Sequence, residues 1–181
     1  MRSYDDKFQR LSDLGAGDFA HLNGSLEEHF VGVYDLLVEW NAARPLQDAG
    51  LFHAAYGTSG FTDQMVSLDQ RHLIAEIIGE EAEAIVYLYC SCDRDVFWPR
   101  IGVAEPLLFK DRFSDTELEP SQQQLREFCE LTAAYELQLA AADPSFADQY
   151  RAEFIDVFAR MAPWLTLQAT AYSRSVLRST G

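Results

Sequence analysis

Apolar residues recur along most of the chain at alternating steps of three and four positions, which is the period of an α-helix. The clearest stripe consists of Leu26, Phe30, Val33 and Leu37. Ser25 precedes this stripe and Glu28 follows three residues later, which is the pattern of an N-terminal capping box. The segment therefore predicts a helix over residues 25–40, with Leu36 and Trp40 widening its buried face.

The same reasoning predicts helices along almost the whole chain. Further helix starts are marked by Pro45, Ser67, Glu80, Ser121, Asp143 and Pro163. Residues 94–120 show no clear period and are broken by prolines, so we predict a long loop of the kind that often serves as a lid. The expected fold is an all-α helical bundle. Since no linker interrupts residues 1–181, we expect a single domain.

Composition restricts the classes of function. Of the 181 residues, 48% are hydrophobic, which is enough to bury a core. The formal net charge is −15 at pH 7, and a surface this acidic repels nucleic-acid phosphates and anionic lipids. We therefore expect no nucleic-acid partner and no membrane partner. No apolar run reaches transmembrane length and residues 1–10 show no apolar signal core, which predicts a cytoplasmic protein with three reduced cysteines.

The histidines are the main candidates for chemistry. His29 lies within the apolar face of the helix over 25–40, and His53 ends the apolar face of the next helix. Asp93 is expected at the end of the apolar face of a helix over 80–93. Imidazoles from separate helices, completed by a carboxylate, are a common metal-ligand set, and a metal offsets the cost of burying the carboxylate. We therefore predict a metal site between these three helices.

A simpler interpretation stays open for each of these residues. A single histidine on an apolar helix face is more often a core residue whose ring is satisfied by a backbone carbonyl or a tyrosine. Asp93 is equally compatible with a surface position at a helix end, and Asp95 is a nearby alternative ligand. His72 shares a face with Asp69 and Glu76, which indicates a solvated position, and we exclude it.

Three segments carry a resemblance to a known family. Residues 28–37, with the sequence EHFVGVYDLL, and residues 48–58, with the sequence DAGLFHAAYGT, resemble the opening of an HD domain. Residues 79–86, GEEAEAIV, resemble the same region in the hydrolase domain of bacterial alarmone synthetase/hydrolases. The pattern AGLFH-x-x-YGT is similar to that of a small, uncharacterised bacterial family. The resemblance covers residues 20–95.

The resemblance implies an HD-like fold and a metal site. HD domains bind a divalent metal through a histidine on one helix, a His-Asp pair ending the next and a later aspartate. His29 matches the first ligand, His53 matches the histidine of the pair, and Asp93 is the candidate for the last ligand. Ala54 stands at the aspartate position of the pair, and residues 56–58 replace acidic residues of the alarmone hydrolases. This departure argues against alarmone hydrolysis and against a dinuclear site.

The remaining mononuclear site suits a metal-dependent enzyme acting on a small molecule. Two histidines and one carboxylate leave coordination positions open on bound iron, manganese or zinc. We expect hydrolysis by a metal-activated water. His21, in the loop before the first strong helix, is the preferred catalytic base or a fourth ligand, with Glu27 and Glu28 as alternative bases. The residues proposed to contact substrate are Tyr34, Tyr56, Thr58 and Arg112. For Tyr34 and Tyr56, the more common interpretation is a core tyrosine whose hydroxyl is satisfied within the protein.

Three other functions stay open on the sequence. The iron-holding branch of HD domains implies a mononuclear iron oxygenase as an alternative. The loss of the acidic residue at position 54 favours a non-catalytic HD-like module that binds a small molecule. The aromatic-rich helices over residues 121–178 favour an interaction protein, for which a homodimer is the simplest assembly.

Overall fold

A computed structural model describes residues 5–13 and 25–178. These residues are 68% helical and 4% strand, so the predicted all-α character is confirmed. The chain divides into two compact units, Met1–Cys92 and Asp93–Gly181, called here the N-terminal and C-terminal units. None of the helices in the described ranges combines the length and the apolar character that crossing a membrane requires.

The N-terminal unit is built from helices alone in its described part. Its helices are α1 (Asp5–Asp13), α2 (Ser25–Glu39), α3 (Arg44–Phe52), α4 (Arg71–Ile78) and α5 (Glu80–Ser91). Helix α3 packs against both α2 and α5, and α4 packs against α5 and α1. The core of this unit therefore lies around α3, the helix that leads into His53.

Local sequence signals explain where these helices begin and end. Pro45 lies in the first turn of α3, where its missing N–H costs nothing. Ser67 and Gln70 form a reciprocal capping box ahead of α4, as predicted. Gly79 has φ of 89°, a backbone conformation that L side chains rarely adopt, and it separates α4 from α5.

The end of α5 at Ser91 leaves Asp93 outside that helix, so the predicted placement of Asp93 on its apolar face is wrong.

The C-terminal unit contains the predicted long loop, which is in fact partly structured. Residues 94–120 include a short helix, α6 (Arg94–Phe97), and a hairpin of β1 (Phe109–Asp111) and β2 (Thr116–Leu118). Phe109 pairs with Leu118 in the antiparallel register, and Asp111 Oδ1 accepts hydrogen bonds from the backbone N–H groups of the turn. Strands of three residues are too short to show a period of two, which is why the sequence did not indicate them.

Three long helices complete the C-terminal unit: α7 (Gln122–Ala142), α8 (Pro144–Met161) and α9 (Leu167–Val176). The predicted caps of α7 and α8 are present, at Ser121 and Asp143. The prediction that the last helix begins at Pro163 is wrong, because Pro163 lies in a 3₁₀ turn. Helix α9 instead begins after Thr166, whose N–H and hydroxyl both donate to the buried carboxylate of Glu130 on α7.

A buried ion pair lies within the C-terminal unit. Arg94 Nη1 donates to Glu136 Oε1 at 2.9 Å, and the guanidinium lies over the rings of Trp98 and Tyr135. Burial raises the pKa of Glu136 to about 7, while Arg94 opposes the shift and Glu153 adds to it. Burial also raises the pKa of Glu130 above its usual range.

We predict that Glu136→Gln weakens the pH dependence of folding. A carboxyl group whose pKa is higher in the folded than in the unfolded protein stabilises the fold at low pH, and this contribution is lost as pH rises from about 4.5 through 7. The free energy of unfolding of the wild type should therefore fall between pH 5 and pH 8. In Glu136→Gln the fall should be smaller by about 1–3 kcal/mol, as measured by urea denaturation at both values.

Glu105→Gln is the matched control, because Glu105 is an exposed acid of the same unit. It should leave the pH slope of the wild type unchanged. An identical slope in wild type and Glu136→Gln would contradict the assignment.

Candidate functional site

Two of the predicted metal ligands meet inside the N-terminal unit. His29 lies on α2 and is 8% exposed, and His53 follows the last residue of α3 and is fully buried. Their ring centroids are 5.0 Å apart and the rings are nearly perpendicular, at 86°. The sequence prediction that the two imidazoles lie close together, one from each of two neighbouring helices, is therefore confirmed.

A backbone hydrogen bond orients the His53 ring. Nδ1 of His53 lies 2.7 Å from the carbonyl oxygen of Gly50, one turn earlier in α3. A carbonyl oxygen only accepts, so Nδ1 carries the proton and the neutral ring has its lone pair on Nε2. Metal-ligating histidines commonly have one ring N–H fixed in this way. The same bond also satisfies a core histidine, so by itself it is compatible with both interpretations.

Aromatic rings enclose the histidine pair. The Phe30 ring centroid is 5.0 Å from that of His53 at 83°, and the Tyr89 ring is 6.1 Å away at 86°. The thiol of Cys90 donates to the backbone carbonyl of His53 at 3.1 Å. These contacts tie the end of α3 to α2 and α5, so the His53 ring is held in place from three sides.

The separation of the two rings can be compared with that of two histidines on one ion. With a metal–nitrogen distance of about 2.1 Å and tetrahedral to octahedral angles, the ring centroids of two such ligands lie roughly 4.5–5.2 Å apart. The observed 5.0 Å falls within this range. The separation of the rings therefore matches both a shared ion and edge-to-face packing of aromatic rings, and by itself it selects neither.

Among the described residues, no third ligand joins this pair. No group of three or more His, Cys, Asp or Glu residues in ranges 5–13 and 25–178 is arranged to hold a metal ion. His21, the predicted base or fourth ligand, lies outside the described residues. Asp93 caps α6 and accepts a hydrogen bond from the N–H of Val96. The roles of His21 and Asp93 stay predictions. His72 is exposed, as predicted.

Tyr34, a predicted substrate contact, takes part in a partly buried polar cluster. Its hydroxyl accepts from Arg44 Nη1 at 3.2 Å. Arg44 also donates to Asp48 Oδ2, and Lys7 Nζ contacts the same oxygen at 2.6 Å. The second carboxylate oxygen, Asp48 Oδ1, is buried without a hydrogen-bond partner among the described residues. This cluster anchors α1 and α2 to α3.

Tyr56 and Thr58, two further predicted substrate contacts, are fully buried. The Tyr56 hydroxyl donates to Glu83 Oε1 at 2.8 Å, and burial, reinforced by Glu83, raises the tyrosine pKa well above its usual range. Arg71 binds both oxygens of Glu83. The Thr58 hydroxyl accepts from the N–H of Phe61 within a tight turn.

Arg112, the fourth predicted contact, belongs to the C-terminal unit. Its guanidinium lies 4.4 Å from the ring centroid of the neighbouring Phe113. Each of the four predicted substrate contacts therefore has a partner inside its own unit.

Two buried carboxylates of the N-terminal unit, those of Asp48 and Glu83, were not predicted from the sequence. Asp48 had a detectable signal, since Arg44 lies four residues earlier on the same helix. Glu83 pairs with Arg71 across twelve positions on a different helix. No sequence pattern within one or two helical turns of Glu83 could have predicted this ion pair.

Comparison with known proteins gives one family. Residues 10–94 match the model of DUF6817, a domain of unknown function. The matched range is slightly less than half of the chain, contains His21, His29 and His53, and ends two residues beyond the N-terminal unit. No curated protein and no solved structure matches the chain.

We predict that Gly50→Ala destabilises the N-terminal unit by about 1–3 kcal/mol. A Cβ at position 50 would lie 2.5 Å from Cδ1 of the fully buried Leu37 and 3.4 Å from Cγ1 of Val33, so either the Leu37 side chain must leave its packed position or α2 and α3 must move apart. Either change should also shift the imidazole resonances of His29 and His53. Urea denaturation and NMR of histidine-labelled protein measure the two effects.

Gly60→Ala is the matched control, since a Cβ at position 60 meets nothing within 4 Å. It should change stability by less than about 0.5 kcal/mol. Alanine is favoured over glycine in helices. An increase in stability for Gly50→Ala would therefore show that the close approach of the helices is not limiting.

Proposed function

We propose that the N-terminal unit is a divergent HD-like domain that binds one divalent metal ion at His29 and His53. We further propose that the protein is a metal-dependent enzyme that hydrolyses a small molecule. The observation that carries the proposal is the buried contact of these two imidazoles, 5.0 Å apart between α2 and the end of α3. The agreement of the DUF6817 match with this unit supports treating the unit as the functional module.

Each residue has a defined role in the proposal. His53 binds through Nε2, because its Nδ1–H is held by the Gly50 carbonyl. His29 supplies the second imidazole and is the more exposed of the two, which places the solvent-facing side of the site at α2. A metal bound here would supply a Lewis acid that lowers the pKa of a water ligand. His21 is proposed to complete the site or to accept the proton from that water.

The proposal does not depend on the four predicted substrate contacts. Tyr34, Tyr56 and Thr58 have hydrogen bonds that stabilise the N-terminal unit itself. Replacing them would disturb folding before it reported on substrate binding. Substrate recognition is therefore better examined after the metal site has been tested.

One observation favours the non-catalytic alternative. Ala54 is 3% exposed and cannot bind a metal, although it stands where HD domains carry an aspartate. A unit with only two imidazoles and no metal would be an HD-like binding module. The metal experiment distinguishes the two functions, and the identity of the metal distinguishes hydrolysis from oxygenation.

We predict that the wild-type protein, purified without a histidine tag, retains about one Zn²⁺, Mn²⁺ or Fe²⁺ ion per chain after gel filtration. His29→Ala and His53→Ala should each lose most of the bound metal, because two imidazoles are the proposed ligands. His72→Ala, which removes an exposed histidine from α4, is the matched control and should retain the ion. Inductively coupled plasma mass spectrometry gives the stoichiometry.

Paramagnetic broadening provides a readout that does not depend on folding of a variant. Titrating Mn²⁺ into the wild type should broaden the imidazole resonances of His29 and His53 and leave those of His72 sharp. Retention of iron would support the oxygenase form, whereas zinc or manganese would support hydrolysis. If a folded wild type binds none of the three ions after reconstitution, the metal-enzyme proposal is wrong.

A further inference from the structure

A surface cavity lies between α8 and α9 of the C-terminal unit, apart from all residues of the proposed metal site. It has a volume of about 400 Å³, at the small end of the range for small-molecule sites. Its floor is formed by the buried apolar residues Phe158 and Leu177. Ile155, which is 52% exposed, extends the apolar surface along the rim. Part of the cavity lining is therefore apolar.

Two arginines line this cavity. Arg174 and Arg178 are four positions apart and exposed, and neither side chain forms an ion pair or a hydrogen bond among the described residues. The hydroxyl-bearing residues Thr170 and Ser173 lie on the same side of the cavity, on α9. One wall therefore carries positive charge and hydroxyl groups beside an apolar floor.

Among the described residues, the lining of this cavity contains two arginines and no acidic residue. Acidic residues outnumber basic residues by 29 to 14, so a basic side chain readily finds a carboxylate. Eight Lys or Arg side chains of the described ranges are ion-paired: Lys7, Arg44, Arg71, Arg94, Arg100, Lys110, Arg151 and Arg160. No acidic residue in the described lining of the cavity therefore competes with an external anion for Arg174 and Arg178.

We propose that this cavity binds a single-chain aliphatic carboxylate. The tail would occupy the apolar floor over Phe158 and Leu177, and the carboxylate would bind Arg174 and Arg178, whose guanidinium groups match its planar geometry. The small volume favours one aliphatic chain over a two-chain lipid. The site lies in the C-terminal unit and needs no metal, so it is independent of the proposed function.

We predict that the full chain, in metal-free buffer, binds decanoate with a Kd on the order of 10⁻⁵–10⁻⁴ M. Two control ligands test the two parts of decanoate. Acetate has the carboxylate without the long alkyl chain, and decyltrimethylammonium has a ten-carbon chain with a positive charge. Both should bind at least about tenfold more weakly. Isothermal titration calorimetry gives the affinities, and NMR shifts of Thr170 and Ser173 locate the ligand.

Variants of the protein test the two arginines and the apolar part of the cavity separately. The double variant Arg174→Gln, Arg178→Gln should weaken decanoate binding about tenfold. Arg126→Gln is the matched control, because Arg126 is also exposed and without an ion pair among the described residues but lies on α7 away from the cavity. Ala159→Trp, at the exposed rim, should block binding while circular dichroism shows an intact fold.

Three results would overturn the proposal. The first is the absence of saturable decanoate binding below millimolar concentration. The second is equal affinity for decyltrimethylammonium, which would mean that the arginines do not select the ligand. The third is self-association of the chain that Ala159→Trp abolishes without any decanoate binding, which would assign the cavity to a contact between copies.

Discussion

The close approach of α2 and α3 at Gly50 is the constraint on which the candidate site depends. Without a side chain at position 50, Leu37 and Val33 of α2 pack directly against the backbone of α3. This short separation lets His29 from one helix touch His53 at the end of the other. The carbonyl of Gly50 also accepts the Nδ1–H of His53. One residue therefore sets both the distance between the helices and the orientation of a ring.

Those parts of the fold that depend on neighbouring residues could be predicted from the sequence. The capping boxes at Ser67 and Ser121 and the convergence of two histidines on helix faces follow from patterns within a few positions. The start of α9 could not be predicted, because Thr166 is fixed by Glu130, thirty-six positions away. Pro163 offered a local signal of the right kind, and a contact between distant helices overrode it.

Both units pair their buried carboxylates with basic side chains. The buried carboxylates Asp48, Glu83 and Glu136 each have a lysine or arginine partner, because a buried ion that loses its partner is strongly destabilising. Four of the 14 basic residues serve these internal pairs: Lys7, Arg44, Arg71 and Arg94. In a chain with 29 acidic residues, two arginines on the wall of a cavity whose described lining contains no acidic residue are more informative than an unpaired glutamate on the surface.

The alanine at position 54 affects which metal ion the proposed site would prefer. An aspartate at this buried position would add a hard oxygen ligand and a negative charge, both of which favour magnesium or manganese. Alanine leaves imidazole nitrogens as the donors that the described residues supply, and these favour zinc or iron. A site of lower negative charge also holds its metal less tightly, so occupancy would depend more strongly on a further donor.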